Sequence, residues 1–239
     1  MRLVRGSIDD VDRDRAVTAA LADAAAGADA PVLRVWTPPR QVAFGRRDTA
    51  AEGYDRARRI AVEHGYEPIE RDVGGSAVAY TGHTVSFAYA VPTRTARNGI
   101  DRRYRRATTA LLRALRGVGA RVSRGEPDRS FCPGDHSVRA SNAGRGKIAG
   151  IAQRVRRESA LVGGCVVVRS ADSDAIGDVL SPVYAALDLP FDSDAVGSVA
   201  AAGGPDATAP VVDALETAFR SDRSATVVSA PEFRPADAS

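Results

Sequence analysis

Lysine is almost absent from this chain of 239 residues: among 33 basic residues, only Lys147 is not arginine. Cysteine is nearly as scarce. Cys132 and Cys165 stand in unrelated contexts, which excludes a disulfide framework and fits a reducing compartment. Aromatic residues amount to 5%, and 30 acidic residues offset the basic ones to a net charge of +3. Nucleic-acid binders concentrate basic charge and interleave aromatics for stacking, so that class is disfavoured. No run approaches the roughly 20 apolar residues of a membrane span, and the opening MRLVRGSIDD lacks an apolar signal segment. His64 and His83 show no metal-ligand spacing with either cysteine, so no metal site is expected. These absences predict a cytoplasmic protein, with neither nucleic acid nor membrane as partner, and a monomer.

What remains is a 44% hydrophobic chain long enough for one large core. A single domain over residues 1–225 with a loose tail over 226–239 is expected. Helical spacing covers residues 9–26, 50–64 and 101–116, and helical periodicity returns beyond Ala171. Val32–Trp36, Val85–Val91, Lys147–Arg154 and Leu161–Val168 read as strands. No regular βαβ alternation appears, so the expected fold class is α+β with a mixed, largely antiparallel sheet flanked by helices. The helix over 101–116 carries Arg102, Arg103, Arg106, Arg113 and Arg116 on one face. That face reads as solvated, or as a docking surface for an acidic partner.

Three places could carry chemistry. Gly74-Gly75, after a strand and before Ser76-Ala77-Val78, lets backbone N–H groups approach a ligand, or forms a simple tight turn. Cys132-Pro133-Gly134 favours a type II turn with the thiol displayed at its corner, whereas Cys165 sits in an apolar run and reads as a core thiol. A cysteine becomes a strong nucleophile beside a cation, which Lys147 or His136 could supply. In a chain that uses arginine everywhere else, the lone lysine marks a site where guanidinium does not substitute, or survives by chance.

Together these residues resemble the superfamily of lipoate–protein ligases and octanoyl/lipoyl transferases, related to biotin–protein ligases. The resemblance runs from about Val32 to Val199. It rests on Phe44-Gly45-Arg46-Arg47-Asp48, on Arg71-x-x-Gly74-Gly75-x-Ala77-Val78, and above all on Gly146-Lys147-Ile148-Ala149-Gly150-Ile151-Ala152-Gln153-Arg154. The sole lysine fills the family's lysine slot. The Cys-Pro-Gly element resembles the cysteine-dependent octanoyltransferases. Two departures stand out: Ser137 where that motif carries an acidic residue, and Asp72-Val73 where a polar Ser/Thr precedes the glycines.

The resemblance implies a biotin/lipoate ligase-like, class II synthetase-like catalytic domain. It implies an acyl-thioester on Cys132, with Lys147 flanking the acyl carbonyl. Arg71, Gly74, Gly75, Ser76, Ala77, Val78, Gly150, Ala152 and Gln153 would bind the substrate. Val78, Val85 and Ile151 are the candidates to line the acyl tunnel. The acceptors would be lipoyl-carrier domains, either 2-oxoacid dehydrogenase E2 or the glycine cleavage H protein. A transferase would need no cofactor. The alternative, an ATP-dependent lipoate–protein ligase working through lipoyl-AMP, would need ATP and Mg2+ and sometimes an accessory subunit. A non-catalytic binding module on the same fold is the third reading. Lys147→Arg is expected to fold normally and lose most activity.

Overall fold

The structure, a computed structural model, describes residues 1–71, 75–93, 99–141 and 146–234. Strand β1 (Arg2–Arg5) and helix α1 (Val11–Gly27) lead to strands β2 (Val32–Trp36) and β3 (Gln41–Phe44). Helix α2 (Tyr54–Glu63), strands β4 (Glu67–Glu70), β5 (Val78–Tyr80) and β6 (Val85–Pro92), and helix α3 (Ile100–Gly117) follow. The second half holds β7 (Val122–Arg124), β8 (Ser137–Ala140), β9 (Lys147–Val155) and β10 (Ser159–Val166). Helices α4 (Ser170–Ala186) and α5 (Thr208–Arg220) and strand β11 (Thr226–Ser229) complete it.

Eight strands form one sheet in the order β11-β1-β2-β6-β10-β9-β8-β7, and β4-β3-β5 form a small second sheet. In the large sheet only the pairs that β1 makes are parallel; the other neighbours are antiparallel. The expected mixed, largely antiparallel α+β class is therefore what folds. Side chains alternate across the sheet, so its two faces feed different cores. Val85, Phe87 and Tyr89 of β6 and Val162 and Val166 of β10 pack beneath α3 and α5. Ala88, Ala90 and Leu161 face α1, while Cys165 joins the cluster built on α2, α4 and the small sheet.

Helix α1 begins where Asp10 caps it, its side chain accepting from Arg13 N at 2.8 Å. A buried ion pair pins it to the sheet. Arg34 of β2, fully buried, donates to Asp14 Oδ1 at 2.5 Å, and Trp36 Nε1 donates to Asp14 Oδ2 at 2.9 Å. Helix α2 starts at Tyr54 rather than residue 50, because Asp48–Ala50 forms a separate 3-10 turn in which Asp48 Oδ2 accepts from Gly45 N at 2.7 Å.

Residues 226–234, expected to belong to a loose tail, are built into the fold. Arg2, Leu3, Val4 and Arg5 pair in register with Thr226, Val227, Val228 and Ser229, and Ala230 and Phe233 are buried beside α1. The strand is held by backbone hydrogen bonds, and its exposed side chains, including Val227, carry no burial pattern from which to read it.

Candidate active site

The segment between β7 and β8 carries Cys132 at a corner of the backbone. Cys132 itself adopts φ +41°, in the left-handed region that non-glycine residues rarely enter. Gly134 is not among the residues of positive φ, so the type II turn expected around Pro133-Gly134 is not formed. The cause lies in how both peptide groups of Cys132 are held. Its N–H donates to the Tyr184 hydroxyl at 2.7 Å, and its carbonyl accepts from Lys147 Nζ at 2.8 Å. Tyr184 in turn donates to Ala77 O at 2.9 Å, tying this corner to the segment before β5. Burial raises the Tyr184 pKa, which keeps the hydroxyl protonated for that bond.

Lys147 lies at the start of β9 with no exposed surface. Its ammonium donates to Phe131 O (2.9 Å), to Cys132 O, and to Glu126 Oε1 and Oε2 (3.1 and 3.0 Å). The sequence pairing of Cys132 with Lys147 is thus realised through the cysteine's carbonyl. Lys147 is a strut beneath the corner, and an arginine would have to fit into a closed cage. The closed cage argues against Lys147→Arg folding normally, and that variant is expected to lose stability as well as activity.

Glu126, on the loop after β7, escaped the sequence reading. Besides Lys147 it accepts from Gly134 N at 2.9 Å and from the hydroxyls of Ser130 and Ser137. Ser137, the departure noted in the Cys-Pro-Gly element, is one of the hydroxyls that the Glu126 carboxylate holds. The signal available was indirect: a buried lysine requires an anionic partner.

The cation beside the sulfur is Arg71. Its Nη2 lies 3.3 Å from Cys132 Sγ and donates to Ser76 O at 2.6 Å. Burial opposes the guanidinium charge, but Cys132 and Tyr80 outweigh it and raise the Arg71 pKa. Gly75, at φ +97°, faces the thiol: a Cβ there would sit 2.7 Å from Cys132 Sγ. Behind it, a Cβ on Gly45 would lie 1.9 Å from Gly75 O, so the Phe44–Asp48 motif buttresses this loop by backbone contact.

The remaining predicted residues divide. Ala77 and Val78 are buried in the same cluster that Cys132 packs against. Gly74 lies outside the described residues. Gly150, whose Cβ position is 3.4 Å from Lys147 Cε, and Ala152 share one face of β9. Across the ladder they meet Cys165 and Gly163, all small, on the sheet face of the thiol. Gln153 points to the other face, where its Oε1 accepts from Arg103 Nε at 2.9 Å and its amide donates to Ile100 O. Val85 and Ile151 also pack on that other face, against the core under α3, and do not line a tunnel from Cys132. The ring of His136 stacks on Tyr104 at 3.7 Å between centroids. Cys165 is buried, and burial raises its thiol pKa, as a core thiol should behave. Of the basic face of α3, Arg113 donates to Ala218 O and Arg116 to Val122 O, so part of it serves the fold.

Comparison with known proteins gives the family and the fold. Residues 12–208 match the model of the lipoyl protein ligase A/B catalytic domain. An octanoyl-[GcvH]:protein N-octanoyltransferase from Geobacillus kaustophilus is 30% identical over 150 residues, 62% of this chain and 52% of that protein. The one from Anoxybacillus flavithermus is 28% identical over 151 residues, 63% of this chain and 53% of the relative. The match therefore spans about half the length of these curated relatives. Lipoate-protein ligase A bound with ATP superposes with a TM-score of 0.73 at 22% identity, covering 95% of this chain and 88% of the other. The bi-partite lipoate protein ligase of Thermoplasma acidophilum, described with its E2 lipoyl domain, gives 0.68 at 20%, covering 95% and 86%. These two likenesses establish the fold.

Proposed function

The chain belongs to the lipoyl protein ligase A/B catalytic-domain family, and from that premise we propose that it transfers octanoyl groups between lipoyl-carrier proteins through a thioester on Cys132. The observation that carries this reading is a half-buried thiol on a left-handed corner, 3.3 Å from an arginine and facing a glycine.

In the first step the Cys132 sulfur attacks the octanoyl carbonyl of the donor. An S–C bond forms, the bond from that carbonyl to the donor carrier breaks, and the carrier leaves with a proton. In the second step an acceptor lysine amine attacks the thioester, forming an amide N–C bond, and the thiol departs. Splitting the transfer this way replaces one difficult displacement with two easier ones. Arg71 is the cation we assign to the oxyanion of both steps, since its Nη2 already reaches the sulfur. Lys147 acts through the corner it supports and is a positioning residue. Gly75 leaves room above the sulfur, and the small face formed by Gly150, Ala152 and Gly163 offers a floor for the acyl chain.

The relatives' name identifies octanoyl-[GcvH] as their donor, and we assign the same carrier here with a lipoyl domain as acceptor. The thioester route uses neither ATP nor Mg2+. A ligase route would call on the Lys147 ammonium at an acyl-adenylate, and here that ammonium is taken by four protein oxygens. The test is intact-mass analysis after incubation with octanoylated GcvH and then an apo lipoyl domain, with and without ATP. The reading expects one octanoyl adduct, labile to hydroxylamine, absent from Cys132→Ala, and passed on without ATP. An adduct that persists on Cys132→Ala, or transfer that begins only when ATP is added, removes it.

A further inference from the structure

On the sheet face opposite Cys132, the first half of α3 and the end of β6 enclose a cavity of about 820 Å³. Its floor is apolar, formed by Val91, Ala107 and Val162. Its walls carry four guanidinium groups, those of Arg102, Arg103, Arg106 and Arg223, and no carboxylate is among the lining residues described. The acid of the first helical turn, Asp101, does not line it.

Positive charge is crowded here beyond the count of arginines. Gly99, at φ +91°, caps the N-terminus of α3, where the helix dipole is itself positive. A Cβ on Gly99 would lie 3.3 Å from Arg103 Nη1 and 3.6 Å from Arg102 Nη2, so both guanidiniums fold back over that end. Burial and the neighbouring Arg102 lower the Arg103 pKa. An independent observation concerns Tyr89. The residue is 5% exposed and lines the cavity, yet its hydroxyl has no hydrogen-bond partner among the described residues. Buried hydroxyls are ordinarily satisfied, and leaving one unpaired costs stability. Arg106 sits over the ring of the same tyrosine at 5.7 Å from its centroid.

The geometry points to this cavity as a binding site for a phosphorylated small molecule, its phosphoryl or pyrophosphoryl group held by Arg102, Arg106 and the Tyr89 hydroxyl, and its organic body lying on Val162. Guanidinium groups match phosphate oxygens in bidentate geometry, and a helix N-terminus adds favourable dipole. The volume exceeds what phosphate alone fills and lies within the range of small-ligand sites. This site is separate from the Cys132 centre, and it stands whether or not the thioester route holds.

Titration calorimetry of the full chain with inorganic phosphate and with pyrophosphate tests it, with sodium chloride added to matched ionic strength. Pyrophosphate should bind saturably at one site, tighter than phosphate. Arg102→Gln/Arg106→Gln, two exposed positions, should weaken it by about tenfold or more, as expected for lost charge-assisted hydrogen bonds. Tyr89→Phe should weaken it severalfold while melting no lower than the parent, because the hydroxyl it removes is unpaired. The proposal is overturned by absence of saturable heat up to about 10 mM pyrophosphate, a Kd worth under about 3 kcal/mol. It is equally overturned by affinity that survives the double arginine variant, or by a Tyr89→Phe protein that melts lower and binds unchanged.

Discussion

Removing one charge from the Cys132 corner should lower the stability of the whole fold. In Glu126→Gln the shape is kept, while the carboxylate that receives the Lys147 ammonium, two serine hydroxyls and Gly134 N–H is lost. Breaking a fully buried ion pair by removing one partner costs about 3–5 kcal/mol. The Lys147 side chain is 1% exposed but that of Glu126 is 24% exposed, so solvent screens part of the loss. A value of about 2–3 kcal/mol follows once that screening is applied. For a chain of this size each kcal/mol shifts Tm by about 2–4 °C, which gives a drop of about 4–12 °C. Thermal melting followed by circular dichroism at neutral pH reads this directly, with the exposed Glu63→Gln as control. The variant should also lose octanoyl transfer, because the carbonyls of Phe131 and Cys132 keep a lysine whose counter-ion is gone. A Glu126→Gln protein melting within about 1 °C of its parent would refute the claim that this carboxylate anchors the corner.

Alkaline pH should destabilise the protein more than the loss of any single exposed tyrosine proton would. Burial raises the pKa of Cys165 and Tyr184, and pushes Tyr54 up to about 12. The folded chain thus keeps protons that the unfolded chain gives up, so stability is complete below the ordinary thiol and tyrosine values and falls as pH rises through them. Tm recorded from about pH 8 to about pH 11 should decline steadily, and a flat profile across the ordinary tyrosine pKa contradicts it. Asp14→Ala strands the fully buried Arg34 charge and unpairs Trp36 Nε1, for a loss of about 3–5 kcal/mol in denaturant unfolding; a loss below about 1 kcal/mol would mean the pair contributes little.

How much of this was legible depended on the length over which a pattern could run. Strands β6, β9 and β10 extend over eight or nine residues, and their positions follow from alternation or unbroken apolar character. Strands β1, β3, β7 and β11 have three or four residues each, too few for a period to declare itself, and β11 buries little. At the site, Cys132, Lys147, Arg71 and Gly75 were all picked out in the sequence and do converge. Their contacts were not legible: the family resemblance assigns Lys147 to the acyl carbonyl and Arg71 to substrate binding, whereas the fold sets Arg71 at the sulfur. Glu126 lies 21 residues before Lys147, and nothing in Gly125-Glu126-Pro127 distinguishes it from a solvated turn acid until β7, β8 and β9 bring the loop back. Val85 and Ile151 show the same limit from the other side. An apolar residue near a motif in sequence belongs to either face of a sheet, and only register says which.

The burial of Lys147 has a consequence for what the protein can do to itself. In the proposed route Cys132 carries a reactive thioester, and any accessible lysine of the protein itself would compete with the acceptor at very high local concentration. This chain has one lysine, and it is sealed beneath the corner with its ammonium engaged. Its 32 other cationic side chains are guanidiniums, which stay protonated and are poor nucleophiles toward thioesters. On the proposed thioester route, the use of arginine in place of lysine thereby leaves no exposed lysine side chain to compete with the acceptor for an acyl group resting on the thiol.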